Sequence, residues 1–574
     1  MNRIARACLV GVAVSLLVTI GGPLQRVAAG NDNERGGAGI RRVLLISIDG
    51  MHVLDYANCV SGGYCPHLKA LGRNGVSYTR TSTSKPSDSF PGLMALVAGG
   101  TPRTVGAFYD VAYDRVLAPP QRTTGNGVAG GTCVPGVANG TRTEYEEGID
   151  IDQTKLNGGG PYSVTGGGIK SIDPTRLPRD PFHNCSPVYP WNFVRTNTIY
   201  GVVHAAGGYT AWSDKHAAYA AVSGPSDNAS NVDDYYSPDI NSQVIPLPGV
   251  VTATGLVCDP VADPSQTGDW TVSFMNVQCY DTLKVNAILK EIDGKTHDGA
   301  REAPVPALFG MNFQAVSVGQ KLIEGGVKGG YTDAAGTPTV AMRRAIQFVD
   351  AGIGQMVDEL ERHNLLDSTL IIITAKHGQS PIDRNRFFPI PGPGQTPNGT
   401  SPADVLVNAN PNLLPFSESP LNPNGIGPTQ DDVSLLWLAD SKDTLTAVGL
   451  LEKNAAAAGI GQIFYGPSLE TMFNAPGLPP QGDPRTPDII VQPDVGVIYT
   501  GSSKKQAEHG GFAHDDTNVM LLVSNPGFEP GTVTSFVETT QVAPTILQAL
   551  GLDPGSLDAV RIEGTPVLPG LSLR

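Results

Sequence analysis

The feature that most limits the fold is the run Val43-Leu44-Leu45-Ile46-Ser47-Ile48, apolar at nearly every position and ending at Asp49-Gly50. A strand without a polar face has to be covered on both sides, which is the condition of a parallel sheet held between layers of helices. Similar runs recur at residues 307–311, 370–374, 489–491 and 519–523. Met342, Ile346, Val349, Ile353, Met356, Val357 and Leu360 recur at helical spacing and predict a helix over 339–362, leading by a short loop into the run at 370. The expected fold class is α/β, a mostly parallel sheet flanked by helices.

Two stretches break this pattern inside a main domain spanning 40–574. Residues 111–303 are rich in Gly, Pro, Asn and Asp, and contain Cys133, Cys185, Cys258 and Cys279. They read as a loop-rich insertion lying over the sheet. Residues 388–482 open on Pro/Gly/Asn-rich chain and then show a strand (433–438), a helix (441–454) and a short strand (462–465), which reads as a small α/β insertion. No repeat of fixed period is present.

The first 29 residues have the form of a secretory signal peptide. Arg3 and Arg6 supply the charged start, residues 7–20 the apolar stretch, and Val27-Ala28-Ala29 the small-residue cleavage site. Gly21, Gly22 and Pro23 interrupt the apolar run, which is short for a bilayer span. Export to the periplasm or the medium is therefore expected, with no stable membrane partner. Of seven cysteines only Cys8 lies in the signal, and the remaining six form an even set that suggests disulfides in an exported chain. Their spacing leaves the pairing open, and no Cys-x-x-Cys spacing offers a zinc site. Loss of the signal removes three arginines and no acid, moving the formal charge from −15 to −18. So acidic a body argues against binding nucleic-acid duplexes through their phosphates.

Catalytic groups of open α/β sheets gather at the carboxyl ends of the strands, which directs attention to Asp49, to the segment after Met311 and to His377. A lone Asp before Gly is commonly a turn former, so Asp49 gains weight only from its company. That company is Lys85-Pro86-Ser87-Asp88-Ser89-Phe90-Pro91-Gly92, followed by an apolar helix-like run and Gly99-Gly100-Thr101-Pro102. Ser89 would stand at the mouth of a helix, where unpaired N–H groups and the helix dipole favour an anion; helix capping is the plainer use of such a serine.

These residues resemble the type I phosphodiesterases and nucleotide pyrophosphatases of the alkaline phosphatase superfamily. The resemblance runs through Asp49-Gly50, Cys65-Pro66-His67-Leu68, Gly75-Val76, the Pro-Ser-x-Ser-Phe-Pro segment and Gly-x-x-Pro. It continues through Thr374-Ala375-Lys376-His377-Gly378, His509-Gly510-Gly511 and a closing helix around Val542-Ala543-Pro544-Thr545. It implies an alkaline-phosphatase-like fold with the two insertions and a metal-dependent hydrolase of phosphate esters, diesters in particular. Ser89 would be nucleophile and ligand, with Asp49, His377 and His509 as further ligands of one or two divalent ions. Zinc comes first among candidates because of the imidazoles. The expected substrate is a small-molecule or nucleotide-like phosphate ester.

The departures are specific. Lys376 stands where the family carries a ligand Asp, Asn312 and Val316 stand where it carries Asp-x-x-x-His, and Asp110 stands at its substrate-binding Asn. A single ion with Lys376 supplying charge in place of the second is the expectation, with Asp110 and Asn312 as substrate contacts. Gly208-Tyr209-Thr210-Ala211 followed by Lys215 and His216 resembles the sulfatase branch, where such a Lys and His hold the anionic group; a solvated lysine beside a surface histidine is the plainer alternative. A sulfatase or phosphotransferase is the competing enzyme, disfavoured as a sulfatase because Ser89-Phe90-Pro91-Gly92-Leu93 lacks the required Arg. The competing non-enzyme is an inactive anion- or glycan-binding protein on the same fold.

Overall fold

The computed structural model describes residues 39–125, 127–145, 168–240, 247–259, 270–390, 400–414, 429–500 and 505–573; the expected signal segment lies outside them. Eight strands form the main sheet: β1 (Arg42–Ile48), β2 (Gly75–Tyr78), β3 (Ala211–Ser213), β4 (Asp234–Tyr236), β5 (Leu308–Phe313), β6 (Thr369–Thr374), β7 (Leu521–Ser524) and β8 (Gly531–Val533). Their spatial order is β8-β2-β7-β6-β1-β5-β3-β4. Only β7 runs antiparallel to its neighbours, so the sheet is mostly parallel, as the apolar runs require.

Alternate residues of β1 feed two separate cores. Val43 and Leu45 pack with Leu93, Leu96 and Val97 of helix α1 (Ser89–Ala98) and with Ile546 of α4 (Val542–Ala549). Leu44, Ile46 and Ile48 pack with Val285 and Ile288 of α2 (Phe274–Ile292) and with Met342, Ile346, Val349 and Ile353 of α3 (Val340–Arg362). This is the two-sided cover that a fully apolar strand demands. The Thr339 side chain caps α3 by accepting from the Met342 N–H, one residue before the helix begins.

Two expectations change. The stretch 111–303 is not wholly an insertion over the sheet, because it contributes β3 and β4 to the sheet itself and α2 to its cover. The run at 489–491 belongs to a different sheet: Ile489–Pro493 pairs antiparallel with Ser434–Leu436 and Ile460–Tyr465. An apolar run reports burial and not partner, which is why sequence assigned it to the main sheet. The smaller sheet has its own core of Leu436, Leu438, Val448, Leu451, Ile489 and Val491. The six cysteines form three disulfides, Cys59–Cys65, Cys133–Cys185 and Cys258–Cys279.

Candidate active site

Register brings the chemistry together. Ser47 of β1 lies opposite Asn312 of β5 and Thr374 of β6, and Met311 of β5 lies opposite Ser213 of β3. The residues that leave these four neighbouring strands, Asp49, Asn312, Gln314, Lys376, His377, Asp214 and Lys215, therefore emerge at one edge, the carboxyl edge of the sheet. Helix α1 points its first residue, Ser89, into the same place. Its N-cap is Asp88, whose Oδ2 accepts from the N–H of Phe90 (3.2 Å) and of Asp110 (3.1 Å), tying the helix start to the following loop. Ser89 is thus the first helical residue and not the cap.

Lys215 Nζ donates to Ser89 Oγ at 3.1 Å and lies 3.9 Å from Asp49 Oδ2. Lys376 Nζ lies 3.7 Å from the same Asp49 oxygen and donates to Asp214 Oδ1 at 3.2 Å. Both ammonium groups face the ring of Tyr219, at 5.7 and 4.4 Å from its centroid. Asp49 also accepts from Asn312 Nδ2 (2.8 Å) and Gln314 Nε2 (2.7 Å), while His377 Nε2 stands 3.5 Å from its Oδ2. Burial alone would raise the Asp49 carboxyl, but neighbouring Lys376, His377 and Lys215 outweigh it and hold the group well below the carboxylate range. Asp110, buried and close to Asp88, is pushed well above that range, and the Tyr219 hydroxyl donates to it at 2.9 Å.

Ser89, Asp49, Asn312, Lys215, Lys376 and His377 thus form one buried group, with Asp110 joined to it through Tyr219. Two expected residues sit differently. His216 turns to Asp239, Nδ1 to Oδ2 3.2 Å, behind the Tyr219 ring. His509 packs its ring on that of His377, centroids 4.0 Å apart, with Nδ1 3.5 Å from Asp88 Oδ1. Burial, followed by the closeness of His377, lowers the His509 imidazole well below its ordinary value. Asp214 and Tyr219 went unnoticed in the sequence. The former carried one signal, an acid directly after an apolar strand and before Lys215; the latter carried none.

The donors available for a metal ion do not fit one in this arrangement. A zinc ion bound at about 2 Å needs three or more ligand atoms converging on one point. Asp49 and His377 supply two, but both Asp49 oxygens are already engaged by amide N–H groups, Asn312 and Val316 replace two donors, and two ammonium groups crowd the carboxylate. Among the described residues, the three-residue group whose ligand atoms lie within 4.8 Å of one another is elsewhere: Asp293, Glu359 and His363, where Arg362 already pairs with both acids. A cavity of about 630 Å³ between Arg195, Asp483, Arg485 and Asp114 shares no residue with the Ser89 group.

The sequence matches the type I phosphodiesterase / nucleotide pyrophosphatase family model over residues 43–142 and 329–516, and the chain belongs to that family. Matches to solved structures include wild-type alkaline phosphatase PafA, with a TM-score of 0.52 and 12% identity, covering 90% of this chain and 97% of that one. A mutant form of PafA gives 0.51 at 11% identity, covering 90% and 97%. Murine ectonucleotide pyrophosphatase / phosphodiesterase 5 gives 0.49 at 14% identity, covering 89% and 96%. No curated protein matches the chain by sequence. Family and fold together define a phosphoric ester hydrolase with an alkaline-phosphatase-like fold, in a family whose members are in general divalent-metal dependent.

Proposed function

We propose that the chain hydrolyses phosphate esters, diesters of nucleotide-like alcohols in particular, through a covalent intermediate on Ser89. The observation that carries this reading is the placement of Ser89 Oγ: first residue of α1, 3.1 Å from the Lys215 ammonium, at the carboxyl edge of the sheet. The helix N-terminus and the two lysines favour an entering phosphoryl anion and the negative charge that develops on attack. Oγ bonds to phosphorus, the bond to the leaving alcohol breaks, and the proton lost by Ser89 ends on the leaving oxygen. Water then adds to phosphorus, the Oγ–P bond breaks, and Ser89 regains a proton from that water.

Asn312 and Gln314 serve by orienting Asp49, and Asp110 with Tyr219 closes one wall of the site. The divalent ion expected at Asp49, Ser89, His377 and His509 takes no step in this scheme, because Asp49, His377 and His509 do not bring their ligand atoms within 4.8 Å of one another and two ammonium groups crowd Asp49. Export is part of the proposal: three disulfides belong in an oxidising compartment, and no helix among the described residues is long and apolar enough to cross a membrane. Hydrolysis of bis(4-nitrophenyl) phosphate, 4-nitrophenyl phosphate and 4-nitrophenyl sulfate, compared on one preparation, tests the reaction. The diester is expected to turn over fastest. Turnover of the sulfate alone, or of nothing while phosphate still binds, replaces the proposal with the sulfatase or the binding-protein reading.

A further inference from the structure

Four charged side chains are packed around Ser89 with almost no exposure: Asp49 and Asp214 at 0%, Lys376 at 0% and Lys215 at 7%. Two carboxylates face two ammonium groups, so the group is balanced before anything binds. A divalent cation placed at Asp49 would lie beside both ammonium nitrogens, which stand 3.9 and 3.7 Å from one carboxylate oxygen, in a place that water barely screens. It would also displace the amide hydrogen bonds of Asn312 and Gln314 from that carboxylate. Each lysine, by contrast, is held as a cation should be. Lys376 donates to Asp214, Lys215 donates to Ser89 Oγ, and the Tyr219 ring backs both. The two ammonium groups are what an oxyanion entering beside Ser89 would meet.

We propose that the ammonium groups of Lys215 and Lys376 replace the divalent ions in this chain, so that it holds a phosphoryl oxyanion beside Ser89, and turns it over, with no metal bound. The inference rests on Ser89 as the point of phosphoryl contact and deepens that reading. Lys215 meets the oxygen nearest Ser89; Lys376, fixed by Asp214, keeps Asp49 charged and aimed and adds the second positive charge. Lys215 and His509, with side chains 9% and 11% exposed, are the least enclosed members of the site.

The test uses the full mature chain carrying His363→Ala, which removes the surface donor group from the count. Protein is treated with chelator, equilibrated with zinc, manganese, magnesium or calcium, passed through a desalting column, and read by elemental analysis. Binding of inorganic phosphate is measured by calorimetry in chelator. The expected result is no retained ion and phosphate binding that chelator leaves unchanged. Lys376→Met and Lys215→Met should each weaken that binding about tenfold or more, the loss of one charge-assisted hydrogen bond or charge, while Lys376→Arg retains most of it. Lys376→Asp should acquire a retained ion.

One ion held per chain and lost in Asp49→Asn, or phosphate binding that vanishes in chelator, overturns the proposal. So does phosphate affinity unchanged in both Met variants, or no phosphate binding under any condition. Failure to find a covalent Ser89 adduct would sink the reaction scheme and leave these binding readouts standing, so the two failures are separable. Thermal melting of each variant shows that it is folded, and the Arg variant keeps the charge question decidable should Lys376→Met fail to fold.

Discussion

Ser89 owes its position to the close approach of α1 to the strand end that carries Lys376, and Gly92 permits that approach. A Cβ at Gly92 would lie 2.1 Å from the Lys376 carbonyl oxygen and 2.7 Å from its carbonyl carbon, both backbone atoms at the end of the central strand β6. Backbone there cannot swing aside as a long side chain would, so Gly92→Ala must push the helix off by about 1 Å, at an overpacking cost of about 1–3 kcal/mol. The displacement falls on the first turn of α1, moving Ser89 Oγ from Lys215 and from the line of attack. A 1 Å error of that kind costs about a hundredfold in rate. The assay pairs urea unfolding with bis(4-nitrophenyl) phosphate hydrolysis. Gly449→Ala serves as the contrast: its Cβ meets nothing within 4 Å, in the middle of the helix Thr444–Lys453, so it should gain up to about 1 kcal/mol and leave the rate alone. A Gly92→Ala protein with wild-type stability and rate would refute the claim that this contact sets the nucleophile.

Asp483 gives a pH-dependent case: burial would raise it, but the Arg195 fork donates to both its oxygens at 2.6 Å and holds the carboxyl at about 2, against an ordinary 3.8. Its contribution, about 2 kcal/mol, is complete above the ordinary value and lost as pH falls through about 2. Asp483→Asn should lower the unfolding free energy by about that amount at neutral pH and flatten its decline between about pH 4 and pH 2; an unchanged acid limb in urea titrations counts against the pair. Intact mass with and without reductant should show three disulfides, and replacing Cys133 and Cys185 together by Ser, opening a separation of 52 residues, should cost about 4 kcal/mol. Six thiols that alkylate in the native, unreduced protein would contradict the pairing.

The central strands were legible because full burial leaves a plain mark: β1, β5 and β6 are apolar on both faces, and the 3.6-residue period of α3 is written over six turns. Ser89 was legible through the company of Asp88, Phe90 and Pro91 at a helix start. Strands β3 and β4, three residues each, are too short to show a period, so the segment holding them read as a loop-rich insertion. The partners of Ile489–Pro493 depend on tertiary pairing that an apolar run does not encode. For the site, sequence shows which residues leave the strand ends but not how they face one another. His377 and His509 read as ligands of one or two ions, whereas the chain packs their rings against each other at a tilt and sets His509 Nδ1 3.5 Å from Asp88. Lys376 read as a positive charge in place of a second ion, and its 3.7 Å approach to Asp49 and its bond to Asp214 show what that charge faces, which sequence could not.

The most direct measurement of the central claim is mass spectrometry of the protein quenched in acid during turnover of bis(4-nitrophenyl) phosphate, alongside the rate of Ser89→Ala. A 4-nitrophenyl phosphoryl group on the peptide containing Ser89 is expected, with a rate in Ser89→Ala reduced by several orders of magnitude, about a thousandfold or more. An unmodified Ser89 peptide together with a Ser89→Ala rate above about one per cent of wild type would contradict it.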